Sequence, residues 1–276
     1  MLPHRSARLA GGARVAAPGA CQRGAGRHGR VSAVLLIGGS DSSGGAGLVR
    51  DVQTLARFGT AALCAVTAVT AQSDARVAAV HHVPPEMVRL QIETALAAGR
   101  VAAVKIGMLG TGATVLAVAA SLAASGAIPV VVDPVLASSS GGELLDPQGR
   151  AALREALLPR ASLLTPNTPE AAALLGAACA TSEAELLSQA HALLALGARA
   201  VLMKGGHGAG PLATDLLVAP GQPVRRLSAA RSGSTRRGTG CALAAAIAAG
   251  LAAGLDLAEA CERAKRHVTE LLQQDV

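Results

Sequence analysis

At 276 residues, 51% hydrophobic and 16% charged, the chain has the length and apolar content for one large domain with a well-buried core. Phe58 is its sole aromatic of the Phe, Tyr and Trp type, which removes the stacking platform that single-strand nucleic-acid binders use. The net charge of +7 belongs mostly to residues 1–30, which hold six arginines and no acid; the remainder carries 19 basic and 18 acidic residues, so no basic nucleic-acid face is expected.

Residues 1–30 are rich in Arg, Gly and Ala and lack an apolar period. They read as a disordered extension ahead of one domain over 31–276, with an organelle transit peptide as the alternative. No run of 18 apolar residues occurs, so no membrane span is expected. The five cysteines (Cys21, Cys64, Cys179, Cys241, Cys261) are odd in number and form no C-x-x-C pair. A disulfide or zinc framework is therefore not expected, and a reducing, cytoplasmic setting is.

In chain order, the short apolar run Ala33–Gly38 predicts a buried strand and Ala46–Phe58 a helix. Ala61–Thr70 predicts a second strand. A helix is expected at Pro85–Ala98, a strand at Ala102–Ile106, a helix at Thr111–Ser125 and a strand at Pro129–Val132. Pro147–Leu157 predicts a helix, Ser162–Leu164 a strand and Pro169–Leu175 a short helix. Ser182–Leu196 is a helix with Ser182 and Glu185 spaced as a capping box. Ala200–Met203 is a strand, and Leu212–Ala219 and Val224–Ala229 form an antiparallel pair across Pro220-Gly221. Thr239–Ala253 and Leu257–Gln273 are closing helices. Short buried strands alternating with helices imply an α/β fold, a mostly parallel sheet covered on both faces.

In such a sheet, ligands bind at the carboxyl ends of the strands. Gly38–Gly47 follows the first strand and reads either as a plain turn or as a glycine loop around a small substrate. Gly45 stands where a P-loop would need lysine, so a P-loop is excluded. Asp51, one turn into the next helix, reads either as a surface acid or as a carboxylate pointed at that substrate. Asp133 follows the apolar run Val130–Val132 and is either a loop acid or a carboxylate for Mg²⁺. Glu170, in Thr165-Pro166-Asn167-Thr168-Pro169-Glu170, either complements a helix dipole or orders metal-bound water. Lys204, in Met203-Lys204-Gly205-Gly206-His207, can neutralise nucleotide phosphate. Gly238-Thr239-Gly240-Cys241 opens a strong helix: its N–H groups attract an anion, and a thiolate is expected to be favoured there.

Taken together with Thr70-Ala71-Gln72, Lys105-Ile106-Gly107-Met108-Leu109 and Val132-Asp133-Pro134-Val135, these segments resemble, in order, the hydroxymethylpyrimidine/phosphomethylpyrimidine kinases of thiamine biosynthesis. The resemblance implies a ribokinase-like three-layer α/β/α fold with no separate lid domain. It implies ATP- and Mg²⁺-dependent phosphorylation of 4-amino-5-hydroxymethyl-2-methylpyrimidine and then of its monophosphate, by a homodimer. By resemblance, Gly39, Asp51, Gln72, Met108 and Val135 line the pyrimidine pocket. Asp133 and Glu170 organise the metal, and Lys204, Asn167 and Thr239 serve ATP. Gly238, Thr239, Gly240 and Cys241 form the transfer site, Cys241 standing where the related sugar kinases carry an aspartate base. Arg237 stands where many members have His, Ser42 where many have Pro, and Ser139 where Lys is common. A pyridoxal kinase of the same fold and a non-catalytic pyrimidine-binding protein are the alternatives.

Overall fold

The computed structural model describes residues 32–124, 126–138, 141–205, 210–233 and 236–273. The extension read at 1–30, with Cys21, Ser139, Gly206 and His207, lies outside the described residues. The strands form one sheet in the order β3-β2-β1-β4-β5-β6-β7-β8-β9. The parallel block is β2 (Ala61–Gln72), β1 (Ala33–Asp41), β4 (Val101–Ile106), β5 (Val130–Val132), β6 (Leu163–Leu164) and β7 (Val201–Met203). Antiparallel strands close both edges: β3 (Val77–His82) on one side, β8 (Leu212–Val218) and β9 (Arg225–Ala230) on the other.

Alternation along the strands divides the core into two layers. Leu35, Ile37, Val104, Ile106, Val130, Val132 and Leu164 face one way. They meet α2 (Pro85–Ala97), α3 (Gly112–Ser121), α5 (Thr168–Leu175) and α6 (Glu183–Ala195) through Val88, Ile92, Val115, Val118, Leu174 and Leu193. Val34, Leu36, Ala103, Val131, Leu163 and Leu202 face the other way. They meet α1 (Gly47–Arg57), α7 (Thr239–Ala252) and α8 (Leu257–Gln273) through Leu48, Leu55, Ile247, Ala260 and Ala264. The result is the expected three-layer α/β/α arrangement. No helix among the described residues is long and apolar enough to cross a membrane.

The expected elements are present with ends displaced by up to four residues (β1 runs on to Asp41 and α3 stops at Ser121), and the Ser182–Glu185 capping box forms. Two features differ. The helix read over Pro147–Leu157 is α only at α4 (Pro147–Ala152); it continues as a π turn over Leu153–Leu157 and a 3₁₀ turn over Leu158–Arg160. β3 was not read from the sequence at all. It is a half-exposed edge strand whose Val-Ala-Ala-Val-His-His run carries little alternation.

α7 is half alanine and buried from Ala242 to Gly250. Small side chains let it lie close to the sheet and to α8: a Cβ on Gly250 would stand 3.0 Å from the Cβ of Ala260. That close seating carries the N-terminus of α7 into the crevice at the strand ends.

Candidate active site

The carboxyl ends of β1, β4, β5, β6 and β7 open into one cavity of about 1140 Å³. Every residue singled out by the resemblance lines it: Gly39, Asp51, Gln72, Met108, Asp133, Val135, Asn167, Glu170, Lys204, Gly238, Thr239, Gly240 and Cys241. Strand ends bring these residues to a common rim although they span some two hundred positions of sequence.

On one side lies the glycine loop after β1. Asp41, buried, organises it: Oδ1 accepts from the Ser43 N–H at 2.9 Å and its hydroxyl at 2.8 Å, and Oδ2 accepts from the Ala46 N–H at 3.0 Å. Gly47 has φ +58°, and a Cβ there would run into the Gly39 carbonyl, so only glycine fits. Ser42 and Gln72 tie the loop to β2: the Ser42 hydroxyl donates to the Gln72 carbonyl at 3.0 Å and accepts from the Gln72 N–H at 2.9 Å. The Thr67 hydroxyl donates to the Met108 carbonyl at 2.6 Å and fixes that residue in the wall.

Behind the loop is a pair that the sequence reading left incomplete. Lys105 Nζ donates to Asp51 Oδ2 at 2.7 Å, with both side chains essentially inaccessible to solvent. Among the described residues Asp51 Oδ1 has no hydrogen-bond partner. Burial pushes the Asp51 carboxyl up to about 6, against the opposing pull of Lys105. Burial also draws the Lys105 ammonium down, but the charges of Asp51 and Asp133 outweigh it and hold the group above its ordinary value. A single lysine inside the apolar strand Val-Ala-Ala-Val-Lys-Ile is the signal that could have found it, because lysine is seldom fully buried without a partner.

On the opposite side, Lys204 at the end of β7 joins the two candidate metal carboxylates. Its Nζ donates to Asp133 Oδ1 at 2.9 Å and lies 3.5 Å from Glu170 Oε2. Asp133 Oδ1 also accepts from the Thr165 hydroxyl at 3.2 Å. Glu170 caps its own helix: its N–H donates to Asn167 Oδ1 at 2.8 Å and its Oε2 accepts from the Asn167 N–H at 2.7 Å. Burial raises the Glu170 carboxyl, opposed by Lys204 and reinforced by Asp133. Among the described residues no group of three His, Cys, Asp or Glu side chains forms a ready-made cation site. A second pair was missed on this side: Asp215 of β8 accepts from the Gly205 N–H at 3.0 Å and from Lys265 of α8 at 2.8 Å, fixing the turn that carries Lys204.

Between the two sides stands the N-terminus of α7. Gly238 has φ +76°, and a Cβ there would meet the Gly45 carbonyl, so the turn into the helix is also restricted to glycine. No side chain caps the helix, leaving its first N–H groups for a ligand. A Cβ placed on Gly240 would lie 3.4 Å from Lys204 Nζ and 3.6 Å from Asp133 Oδ2. The amides, the ammonium and a carboxylate therefore converge on one point. Cys241 departs from the expected thiolate. Desolvation pushes its thiol up to about 11, and neither Lys105 nor the Gly47 N–H reverses that.

A helix N-terminus beside a lysine-bridged carboxylate pair, at the strand ends of a three-layer α/β/α fold, is the layout of a ribokinase-like kinase. The phosphomethylpyrimidine kinase family profile matches residues 41–276, and the chain belongs to that family. A hydroxymethylpyrimidine/phosphomethylpyrimidine kinase of Rhizobium meliloti (strain 1021) is 46% identical over 236 residues, covering 85% of this chain and 88% of its own. A crystal structure of phosphomethylpyrimidine kinase from Clostridium difficile 630 superposes with a TM-score of 0.77 at 35% identity, over 87% of this chain and 99% of that one. The pyridoxal kinase of Staphylococcus aureus, solved in complex with AMP-PCP and pyridoxal, superposes with a TM-score of 0.81 at 32% identity, over 89% of each chain.

Proposed function

We propose that the domain over 31–276 phosphorylates the hydroxymethyl group of 4-amino-5-hydroxymethyl-2-methylpyrimidine with ATP and then phosphorylates the monophosphate to the diphosphate, in thiamine biosynthesis. The observation that carries this reading is the convergence of the uncapped α7 N-terminus with Lys204 and Asp133 beside the Asp51 pocket. Asp51 Oδ1, a buried acceptor without a partner, suits the N–H of the amino group, and Gln72 supplies a second polar contact. Such contacts discriminate against analogues that leave the acceptor unpaired. Gly39, Met108 and Val135 shape the ring pocket.

Lys204 carries the ATP phosphate charge, with Asn167 and Thr239 beside it. The amides of Gly238–Cys241 stabilise the phosphoryl group in flight, which is the main task in phosphoryl transfer. Asp133 and Glu170 suit Mg²⁺ in donor chemistry: both are hard carboxylates on the cavity rim, and Asp133 Oδ2 faces the α7 amides. Asp133 and Glu170 would hold the ion, which would neutralise phosphate charge when bound. Cys241, as a neutral thiol, shapes the pocket next to the acceptor hydroxyl and is not the general base. We place the enzyme in the cytosol as a homodimer acting on small molecules, without nucleic acid.

The test is ADP release measured with the pyrimidine, its monophosphate and pyridoxal side by side. Turnover of both pyrimidines, with kcat/KM above that for pyridoxal, is expected; turnover of pyridoxal alone would replace the reading. In the same assay Cys241→Ser is expected to keep kcat within about tenfold, less than the roughly 10²–10⁴-fold that loss of a true general base costs.

A further inference from the structure

Arg237 precedes the α7 glycines directly and has no part in the transfer chemistry above. Its guanidinium joins three segments. Nη2 donates to Asp41 Oδ2 at 3.1 Å, where β1 runs into the glycine loop. Nη1 donates to Asp74 Oδ1 at 3.0 Å and to the Ser73 carbonyl at 2.9 Å, both in the turn between β2 and β3. The same Nη1 lies 3.3 Å from the Ser43 hydroxyl. The side chain is only 12% exposed, whereas Asp74 is 88% exposed and Asp41 is 4% exposed.

The partners differ in weight. Asp74 is solvated, and an ion pair of that kind contributes roughly 0–1 kcal/mol. Asp41 is buried, and its Oδ2 is shared between Arg237 and the Ala46 N–H, so the guanidinium completes the coordination of the residue that shapes the loop. A loop with four glycines between Gly38 and Gly45 has little intrinsic preference for one conformation. The forked, permanently charged guanidinium supplies a fixed geometry that a lysine point charge does not.

We infer that Arg237 is a positioning residue, a clamp that holds the glycine loop and the end of β2 against the α7 amides. It sets the distance between the pyrimidine hydroxymethyl group and the phosphoryl group it receives. This rests on the kinase reading above and adds a residue to it. A displacement of about 1 Å between reacting groups costs on the order of 10²-fold in rate, so a clamp at this junction acts on the reaction without touching substrate. Because the clamp lies on the pyrimidine side, its loss falls on one substrate and not the other.

The test compares Arg237→Ala and Arg237→Lys with wild type in initial-rate kinetics, together with hydrogen exchange of the peptide spanning Asp41–Gly47. Arg237→Ala is expected to lower kcat per active site and to raise the KM for the pyrimidine, each about tenfold or more, and to leave the KM for ATP within about twofold. Methylguanidinium added to that variant is expected to lower the pyrimidine KM again, and the loop amides exchange faster than in wild type. Arg237→Lys is expected to fall between the two, and it decides the matter by the same KM comparison if the alanine variant does not fold. A purely structural role would lower the unfolding temperature and the active fraction while leaving both KM values in place, and that result overturns the proposal. Absence of pyrimidine turnover by the wild type would end the kinase reading, and unchanged loop exchange in the variants would still overturn the clamp by itself.

Discussion

Replacing Lys204 by methionine is expected to lower kcat/KM by about 10²–10³-fold. The ammonium sits between Asp133 and Glu170 and beside Gly240, where the proposed reaction places phosphate charge. Without it, two carboxylates face each other and the incoming phosphates with no cation between them. Burial draws the Lys204 ammonium down and the two carboxylates pull it up further, so it stays charged throughout the working pH range. Lys204→Arg keeps the charge but not the compact shape, and it is expected to restore only part of the rate. The check is steady-state kinetics with thermal unfolding alongside. Wild-type kcat/KM in a folded Lys204→Met protein would remove the lysine from the transfer site.

Lys105→Met is expected to be the most destabilising of the single changes considered, by about 3–5 kcal/mol at pH 8, because it leaves an ionised carboxylate buried without its partner. The cost depends on pH with a definite sign. The Asp51 carboxyl already titrates at about 6 in the folded protein, above its ordinary 3.8, because burial disfavours the charge. A group raised in this way contributes its stability below the unfolded value, and the contribution is lost as pH rises through the folded value. Removing Lys105 takes away the main opposing pull and moves the folded value higher still. The deficit of the variant is therefore expected to shrink as pH falls toward 5, where Asp51 takes up a proton. Asp51→Asn combined with Lys105→Met is expected to recover much of the loss at pH 8. Urea unfolding at pH 5 and pH 8 checks this, and a deficit independent of pH would contradict the assigned pair.

The strand ends were legible because they are local patterns. Val130–Val132 followed by Asp133, and Val201–Met203 followed by Lys204, each announce a buried strand that ends in a charge. The Asn167–Glu170 cap was half legible: the sequence offered helix dipole or metal water, and the structure places Glu170 in the cap and beside Lys204 at once. What sequence did not yield is what depends on distant packing. The Cys241 thiol is pushed up by desolvation at a helix start that looks electropositive in sequence, and that depends on packing from distant segments. The partner of Asp51 lies 54 residues away, and the partners of Arg237 lie 163 to 196 residues away. β3 was missed because an edge strand exposed on both faces carries no apolar alternation.

The most direct test of the central claim, that phosphoryl transfer occurs over the α7 N-terminus, is a crystal structure with the pyrimidine, Mg²⁺ and a non-hydrolysable ATP analogue. The expected result has the amino group on Asp51 Oδ1, the hydroxymethyl oxygen directed at the terminal phosphate, and that phosphate within hydrogen-bond reach of the Gly238–Cys241 amides and Lys204. A terminal phosphate bound away from those amides, or a pyrimidine seated with its hydroxymethyl group turned from them, would contradict it.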